Sequence, residues 1–287
     1  MRQPPTSAES EGAPFLPAFR RILRWDNPEP GRVRGWIRSL LKWYLEWNRK
    51  LLLDPWLRYQ PVIAILRSSG LASNVRILDV GSGSVGLGYF LRRPVVAADL
   101  EFSNQDMLTF RSPASPIRAS ATHLPFRDAS FDAVVSMDMI EHLDRTDRPS
   151  AISELLRVSG PVLVLGFPFG ERSAEHDRNA LAIEAKNGIS LAWREEHVRN
   201  GLPDDRLHGQ LLELARTSVP KRNIRWFGHE TLVGLRLRWK LQLLLGSESR
   251  LRGLLIAPLY WFHARGRHDR TYRRVYVIQG SRVQRPR

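Results

Sequence analysis

The sequence predicts an α/β protein with a doubly wound, mostly parallel sheet and helical additions at both ends of the chain. Apolar segments of strand length alternate with helical segments across residues 75–168, a pattern that places helices on both faces of a parallel sheet. The first of these strands also ends in a glycine-rich turn. We expect a disordered, Pro-rich lead-in over 1–30, a helical extension over 31–74, the core over 75–168, and helices with the end of the sheet over 169–287.

The first expected helix covers residues 31–52, where apolar positions recur at helical spacing with Arg and Lys between them. Five of the nine tryptophans lie between Trp25 and Trp56. A basic, Trp-rich helix of this kind suits a membrane interface, although covering the sheet with its apolar side is the simpler explanation. A second helix is predicted over 59–71.

The core elements follow from the same spacing rules. The predicted core strands are 76–80, 95–99, 117–120, 133–137 and 161–167, and the predicted helices are 86–91, 102–110 and 149–158. Beyond Pro168 the chain is helical and polar, with breaks at Gly188 and Gly201. We then expect a helix over 230–245, a segment over 250–262 that includes the short apolar stretch 254–262, and a last strand over 274–279.

The turn after the first strand predicts a site for a nucleotide-type cofactor. Gly81 and Gly83 allow a tight turn and a close approach of the backbone to a ligand, and the next helix presents free N–H groups there. The run from Gly81 to Gly86 matches G-x-G-x-x-G, and Asp99 lies near the distance that a dinucleotide site requires. However, Asp79 precedes the loop, and an acidic residue there suits a cofactor with an ammonium group.

Several motifs in a fixed order separate these two hypotheses. The chain has Asp79-x-Gly81-x-Gly83, then Asp99, then Leu-Pro-Phe, Ser-Phe-Asp and a strand that ends near Glu141-His142. This order resembles the class I S-adenosylmethionine-dependent methyltransferases, with a type 11-like core over 75–168. The resemblance implies a Rossmann-like fold, S-adenosyl-L-methionine as cofactor, and a last strand that is antiparallel.

The resemblance also implies roles for individual residues in cofactor binding. Asp79, Gly81 and Gly83 correspond to the loop around the methionine part, and Asp99 to the carboxylate that accepts both ribose hydroxyls. The remaining expected contacts are Leu100 on the adenine face, Ser120 and Met137. Ser120 departs from the family, which often has an Asp there for the adenine amino group.

Asp138 and His142 are the candidate catalytic residues. They follow the fourth strand at its carboxyl end, where ligands bind in open α/β sheets. A general base is needed only for a hydroxyl or a protonated amine, and a helix-capping or core-edge role is the alternative for His142. Other histidines lie where the family builds acceptor pockets: His176, His197 and His208. Because no metal-ligand spacing such as H-E-x-x-H occurs, the sequence predicts no metal.

The net charge of +15 is concentrated in the flanks: +6 over 1–75, −3 over 76–200 and +12 over 201–287. Basic flanks attract an anionic partner, and a membrane surface, RNA and plain solvent exposure all stay open. The absence of cysteine excludes thiolate zinc sites and disulfides. Because we see no signal peptide or spanning segment, we expect a cytoplasmic protein, with peripheral contact at the inner face of a membrane as an alternative.

The acceptor is the least determined feature. A small-molecule, lipid or glycan acceptor of the envelope type would explain the Trp-rich basic helix and the apolar stretch near 254–262, whereas an RNA acceptor would explain the charge. The Asn/Asp-Pro-Pro-aromatic signature of amino-group targets is absent, since residues 137–140 are Met-Asp-Met-Ile. The sequence is also compatible with a non-catalytic cofactor-binding module and, less well, with an NAD-dependent oxidoreductase.

Overall fold

The computed structural model describes residues 53–71, 74–83, 85–102, 114–245 and 270–280. All of them belong to one compact unit, residues 49–287. Three expected features lie outside the described residues: the lead-in over 1–30, the basic helix over 31–52 and the segment over 250–262 with its apolar stretch. The helix expected over 102–110 lies almost entirely outside them as well.

The described residues form one sheet of seven strands. The strands are β1 (Ile77–Val80), β2 (Val95–Asp99), β3 (Ala114–Arg118), β4 (Phe131–Met137), β5 (Ser159–Pro168), β6 (Asn223–Thr231) and β7 (Thr271–Gln279). Their order across the sheet is β3-β2-β1-β4-β5-β7-β6. The first five strands pair in parallel, and β7 runs antiparallel to both β5 and β6.

Helices cover both faces of this sheet. They are α1 (Leu53–Ser68), α2 (Leu87–Leu91), α3 (Arg148–Val158), α4 (Glu171–Lys186), α5 (Ala192–Asn200), α6 (Asp205–Ser218) and α7 (Leu232–Leu245), with a short 3₁₀ turn at Ile140–His142. Alternate residues of a strand point to opposite faces, so Val134 packs on the side of α3 and α6 while Val135 packs on the side of α1. The doubly wound, mostly parallel sheet predicted from the sequence is therefore confirmed.

The expected last strand is confirmed as antiparallel, and it is longer than predicted, with Thr271 as its first residue. The polar region beyond Pro168 is helical, as expected. No helix among the described residues is both long and apolar enough to cross a membrane.

The two largest differences from the predicted strands both lie at edges of the sheet. β3 covers Ala114–Arg118 instead of 117–120, and it includes Pro116, which edge strands tolerate because they need fewer ladder hydrogen bonds. β6 was not predicted at all: its Trp226 is 39% exposed and the first half of the strand faces solvent. An edge strand buries fewer side chains, so it lacks the apolar run that marks a central strand.

Candidate active site

The glycine loop after β1 has the backbone conformation that its sequence predicts. Gly81 has a φ of +76° and Gly83 a φ of +55°, values that glycine adopts at no steric cost. A Cβ at Gly81 would overlap the side chain of Met139, whereas a Cβ at Gly83 would meet no described atom within 4 Å. The loop is therefore packed at Gly81 and open at Gly83, on the side where a ligand would lie.

Asp99 lies at the end of β2 and binds this loop directly. Its Oδ2 accepts a hydrogen bond from the backbone N–H of Gly83 at 2.9 Å, and its Oδ1 accepts one from Leu100 N at 2.8 Å. Each carboxylate oxygen has a further lone pair. Asp99 is thus held in place and can still accept one hydrogen bond on each oxygen, as a cis-diol requires.

Asp79 is fully buried beneath the loop. Its Oδ2 accepts hydrogen bonds from the Tyr59 hydroxyl at 2.9 Å and from Leu87 N, the first residue of α2, at 2.8 Å. Its Oδ1 has no partner among the described residues. Burial raises the pKa of Asp79 to about 6, although the hydrogen bonds from Leu87 and Tyr59 act in the opposite direction.

The structure places the expected adenine contacts at the same edge of the sheet. Leu100 is 57% exposed beside Asp99, which leaves its apolar surface open to a flat ring. The backbone N–H of Ala119 donates to Asp99 O at 2.9 Å, which brings the loop with Ser120 next to the end of β2. The Ser120 hydroxyl is paired with Thr122 Oγ1 at 2.8 Å, so an adenine contact would compete with a bond inside the loop.

Met137, expected among the cofactor contacts, is fully buried at the end of β4. Its thioether packs against Gly166 of β5, within the core on the α1 side of the sheet. The side chain is therefore part of the core on that side of the sheet, in the same cluster as Leu87 at the start of α2. Met139, two residues later, is the methionine that packs under Gly81, and sequence reasoning missed it because it follows the strand instead of belonging to it.

Asp138 has a different environment from the one expected of a catalytic base. Its two oxygens accept hydrogen bonds from Arg273 Nε and Nη2, both at 2.7 Å, and Arg58 Nε lies 3.2 Å from Oδ2. Although burial alone raises the pKa of Asp138, the charges of Arg273 and Arg58 lower it below the ordinary carboxyl value. Because the ionised group is bound on both oxygens, the structure disfavours Asp138 as a proton acceptor.

The partners of Asp138 form a buried ionic network that the sequence did not reveal. Arg273 also binds Glu230, and Glu230 binds Arg238 of α7 at 3.0 Å. Asp138 follows β4, whereas Glu230, Arg238 and Arg273 come from β6, α7 and β7. Asp138 and Arg273 are 135 positions apart in the chain. Only the pairing of β7 between β5 and β6 brings them together.

His142 closes the 3₁₀ turn after β4 and is half-buried. Its Nδ1 pairs with Glu196 Oε2 of α5 at 2.7 Å. Burial lowers the pKa of His142, while the Glu196 carboxylate opposes this effect. The ring therefore has Nδ1 engaged by a carboxylate, which leaves Nε2 as its second nitrogen.

Glu141 and His197 lie directly beside His142. Glu141 is fully buried, and neither of its oxygens has a hydrogen-bond partner among the described residues. Burial, and then the negative charge of Asp138, raises the pKa of Glu141 well above the ordinary carboxyl value. The His197 Nε2 is 3.8 Å from Glu141 Oε1, too far for a hydrogen bond, and the ring centroids of His142 and His197 are 4.8 Å apart.

The histidines named from the sequence thus separate into two groups. His142 and His197 meet next to Glu141. His208 instead pairs with the Tyr276 hydroxyl at 3.0 Å, and His176 is buried between Tyr272 and Trp239. The convergence of Glu141, His142 and His197 could not be found from spacing, because the two histidines lie on different elements, far apart in the chain.

The cofactor motifs have a direct counterpart among known proteins. Residues 78–162 match the family model described as a methyltransferase domain. This is a class I methyltransferase core, and its cofactor is S-adenosylmethionine. The match favours the methyltransferase interpretation of the glycine loop over the dinucleotide one.

Relatives of the methyltransferase core occur in archaea and bacteria. An uncharacterized methyltransferase of Mycolicibacterium vanbaalenii is 29% identical over 193 residues, 57% of this chain and 72% of that protein. An uncharacterized protein of Methanocaldococcus jannaschii is 26% identical over 141 residues, 49% of this chain and 58% of that protein. The chain therefore spans less than two thirds of the length of the archaeal relative.

Solved structures of low sequence identity are also similar. One is described as a possible histamine N-methyltransferase from Thermotoga maritima, with a TM-score of 0.48 at 13% identity, covering 86% of this chain and 97% of its own. Another is phosphoethanolamine N-methyltransferase 2 of Haemonchus contortus, with a TM-score of 0.47 at 16% identity, covering 78% of this chain and 53% of its own.

The residues of the methyltransferase core fit S-adenosylmethionine. The buried Asp79 Oδ1 receives no hydrogen bond from the described residues, and a donor from a cationic ligand would satisfy it. The open side of Gly83 leaves room for a ligand against the backbone. Asp99 retains one acceptor position on each oxygen for a ribose diol.

Proposed function

We propose that the protein transfers a methyl group from S-adenosylmethionine to a small-molecule, lipid or glycan acceptor. The observation that supports this most directly is the arrangement of Asp79, the open loop at Gly83, and Asp99 at one edge of the sheet. A site for the methionine end and a site for the ribose follow each other there, at the carboxyl ends of β1 and β2. This is the edge at which open α/β sheets bind their ligands.

The protein's task in such a reaction is chiefly to bind and orient. When bound, the cofactor supplies a methyl group that its sulfonium already activates. The chain would fix the cofactor through Asp99 and the glycine loop and hold the acceptor in line with that methyl group. Placing two reactants in this way removes a large part of the barrier without covalent help from the protein.

The acceptor side is built on α5, which packs against the 3₁₀ turn after β4. The Asn200 side-chain amide donates to His142 O at 2.8 Å, and Arg148 Nη2 donates to Gly201 O at 2.6 Å. These bonds fix α5 relative to the turn that holds Glu141 and His142. An acceptor bound at this edge would therefore meet a preformed surface that presents the His142 imidazole and the Glu196 carboxylate, which suit polar groups.

A cytoplasmic location with peripheral membrane contact belongs to the same proposal. Its support is the basic, Trp-rich segment over 31–52 together with the stretch over 250–267. Each basic side chain near an anionic membrane contributes about 1 kcal/mol, and salt screens this attraction. Flotation of the full chain with neutral and anionic vesicles, at low and physiological salt, tests it. Binding only to anionic vesicles, released by salt, is expected, and no binding at low salt would contradict the membrane contact.

Calorimetry tests the cofactor part of the proposal. We expect saturable binding of S-adenosylmethionine and of its demethylated product, with affinity on the order of micromolar, and none for NAD. The reverse result, NAD binding without S-adenosylmethionine binding, would refute the methyltransferase interpretation of the loop.

Radiolabel transfer tests the acceptor class. The full chain is incubated with S-adenosylmethionine labelled in its methyl group and with separate lipid, glycan, small-molecule and RNA fractions of a cell extract. We expect label in one of the first three fractions. Label in RNA alone would replace the proposed acceptor by the alternative that the basic flanks suggest. Cofactor binding without label in any fraction would favour a non-catalytic binding module.

A further inference from the structure

Glu141 is a buried carboxyl group without a hydrogen-bond partner in the part of the chain that the structure describes. Other buried acidic residues of this region are bound: Asp138 by Arg273, and Glu184 by Arg194 and Trp239. Both oxygens of Glu141 are inaccessible and receive no such bond, although burying a polar group without a hydrogen bond costs free energy. A buried carboxyl group without a hydrogen-bond donor suggests that a ligand binds it.

Two histidines next to Glu141 are oriented by carboxylates. His142 Nδ1 pairs with Glu196 Oε2 at 2.7 Å, and His197 Nδ1 pairs with Asp177 Oδ2 at 2.9 Å. The pairing leaves Nε2 as the second nitrogen of each ring. His197 Nε2 is buried, has no hydrogen bond to the described residues and lies on the side of Glu141. A histidine that binds a metal has this arrangement, since its second nitrogen is held by a carboxylate or a carbonyl.

The carboxylate behind His197 is itself fixed. Asp177 accepts a hydrogen bond from the Tyr272 hydroxyl at 2.9 Å and from Arg194 Nη1 at 3.0 Å. Arg194 also binds Glu184 at 2.8 Å. His197 is therefore held in one orientation by a buried network, with its Nε2 directed towards Glu141.

We propose that Glu141, His142 and His197 bind a divalent transition-metal ion. One ligand atom from each residue lies within 4.8 Å of the others, an arrangement found among the described residues only here. An ion about 2.1 Å from tetrahedral ligands needs them roughly 3.4 Å apart, so a small closure of the side chains would complete the site. Two imidazoles with one carboxylate suit Zn²⁺, Mn²⁺, Fe²⁺ or Co²⁺ better than Ca²⁺ or Mg²⁺.

Three protein ligands leave at least one coordination position open, as in catalytic rather than structural sites. His142 is the half-buried member of the set, so the open position lies towards the surface of the acceptor side. The ion would there take an oxygen donor of the acceptor, a hydroxyl or a carboxylate, and hold it near the cofactor edge. This role rests on the proposed function, whereas the binding of the ion does not.

Metal titration of the full chain tests the site directly. After chelation and dialysis, Zn²⁺, Mn²⁺ and Co²⁺ are added separately, and bound metal is measured by elemental analysis. We expect one ion per chain, and a visible absorption band of Co²⁺ typical of nitrogen and oxygen ligands. Three ligand variants, Glu141→Gln, His142→Ala and His197→Gln, should weaken binding by more than about 100-fold, which exceeds the range for residues behind the ligands.

Matched variants separate a built site from surface binding. Glu196→Gln, which alters only the carboxylate behind His142, should weaken binding by roughly 10–100-fold. His208→Asn changes a histidine outside the cluster and should bind metal like the unaltered protein. Because His142 is only half-buried, we expect His142→Ala to keep its fold. An unchanged circular dichroism spectrum would show that its weaker metal binding does not come from unfolding.

Two results would overturn the metal site. One is that the unaltered protein binds no ion, and the other is that the ligand variants bind metal as well as His208→Asn does. S-adenosylmethionine binding is measured on the same metal-free samples. If the cofactor binds and no metal does, the metal site is wrong while the proposed function stands. If metal binds and the cofactor does not, the proposed function fails and the metal site stands.

Discussion

Two buried carboxyl groups follow β4 only three residues apart, and their surroundings are opposite. Asp138 is bound on both oxygens by Arg273 and lies beside Arg58. The Glu141 side chain is fully buried, whereas that of Asp138 is 8% exposed, and no described residue donates a hydrogen bond to either Glu141 oxygen. Removing a charge from water is costly unless a partner replaces the lost hydration. The comparison indicates that side chains of the fold already occupy both oxygens of Asp138, whereas the oxygens of Glu141 keep their capacity for the ion proposed above.

The two carboxyl groups near the cofactor loop lie between these extremes. Asp79 has one bound oxygen and one that no described residue binds. Asp99 has one internal hydrogen bond on each oxygen and keeps a lone pair on both. In each case the internal bonds fix the group, and the unused capacity is what a cofactor would occupy.

The largest expected loss of stability comes from breaking the ion pairs of Asp138. Arg273→Leu removes a buried cation from both Asp138 and Glu230, and an uncompensated buried charge costs about 3–5 kcal/mol of unfolding free energy. Urea unfolding measures this loss. The control Arg178→Leu breaks an exposed pair with Glu171 and should cost less than about 1 kcal/mol. Equal losses in both variants would mean that the buried network is not special.

Asp99→Ala removes the carboxylate that we expect to accept hydrogen bonds from the two ribose hydroxyls. We expect cofactor binding to weaken by about 1.5–3 kcal/mol, the range for hydrogen bonds to a charged group, while the fold remains because Asp99 is at a strand end near solvent. Calorimetry with S-adenosylmethionine measures the change. Glu101→Ala, which removes an exposed charge nearby, is the control. Normal binding by Asp99→Ala would show that another residue binds the ribose.

Asp79→Asn tests the half-paired carboxyl group. Its pKa is raised by burial to about 6, above its value in the unfolded chain, so its ionisation destabilises the fold above about pH 6 and not below about pH 4. The neutral amide should therefore stabilise the cofactor-free protein by up to about 3 kcal/mol at pH 7 and not at pH 4, since each pKa unit corresponds to about 1.4 kcal/mol. Thermal unfolding at both pH values checks this. An equal gain at pH 4 would exclude the charge as its cause.

The smallest change in stability is expected for Glu141, whose oxygens receive no hydrogen bond from the described residues. Glu141→Gln should change the unfolding free energy of the metal-free protein by less than about 1 kcal/mol, because the described residues give Glu141 no side-chain hydrogen bond to lose. Glu184→Gln is the matched control: its two oxygens bind Arg194 and Trp239, and the loss should be about 2–4 kcal/mol. A large loss for Glu141→Gln would show that Glu141 has a structural partner after all.

The sequence by itself determined the features whose residues lie close together in the chain. Asp79 near the end of β1, the turn at Gly81 and Gly83, and Asp99 at the end of β2 lie within about 20 residues, so their geometry follows from local rules for strands and turns. The central strands were predicted because they are buried on both faces and therefore apolar throughout. The edge strand β6 lacks that signal.

Only the tertiary structure decided which distant side chains meet. The pairing of β7 between β5 and β6 brings Arg273 to Asp138 across 135 positions, and the packing of α5 on the turn after β4 brings His197 to Glu141. Neither contact leaves a pattern in the sequence, because spacing reports neighbours along one element and not between elements. The cofactor could therefore be predicted from the sequence, whereas the partners of the protein's buried charged side chains could be identified only in the folded structure.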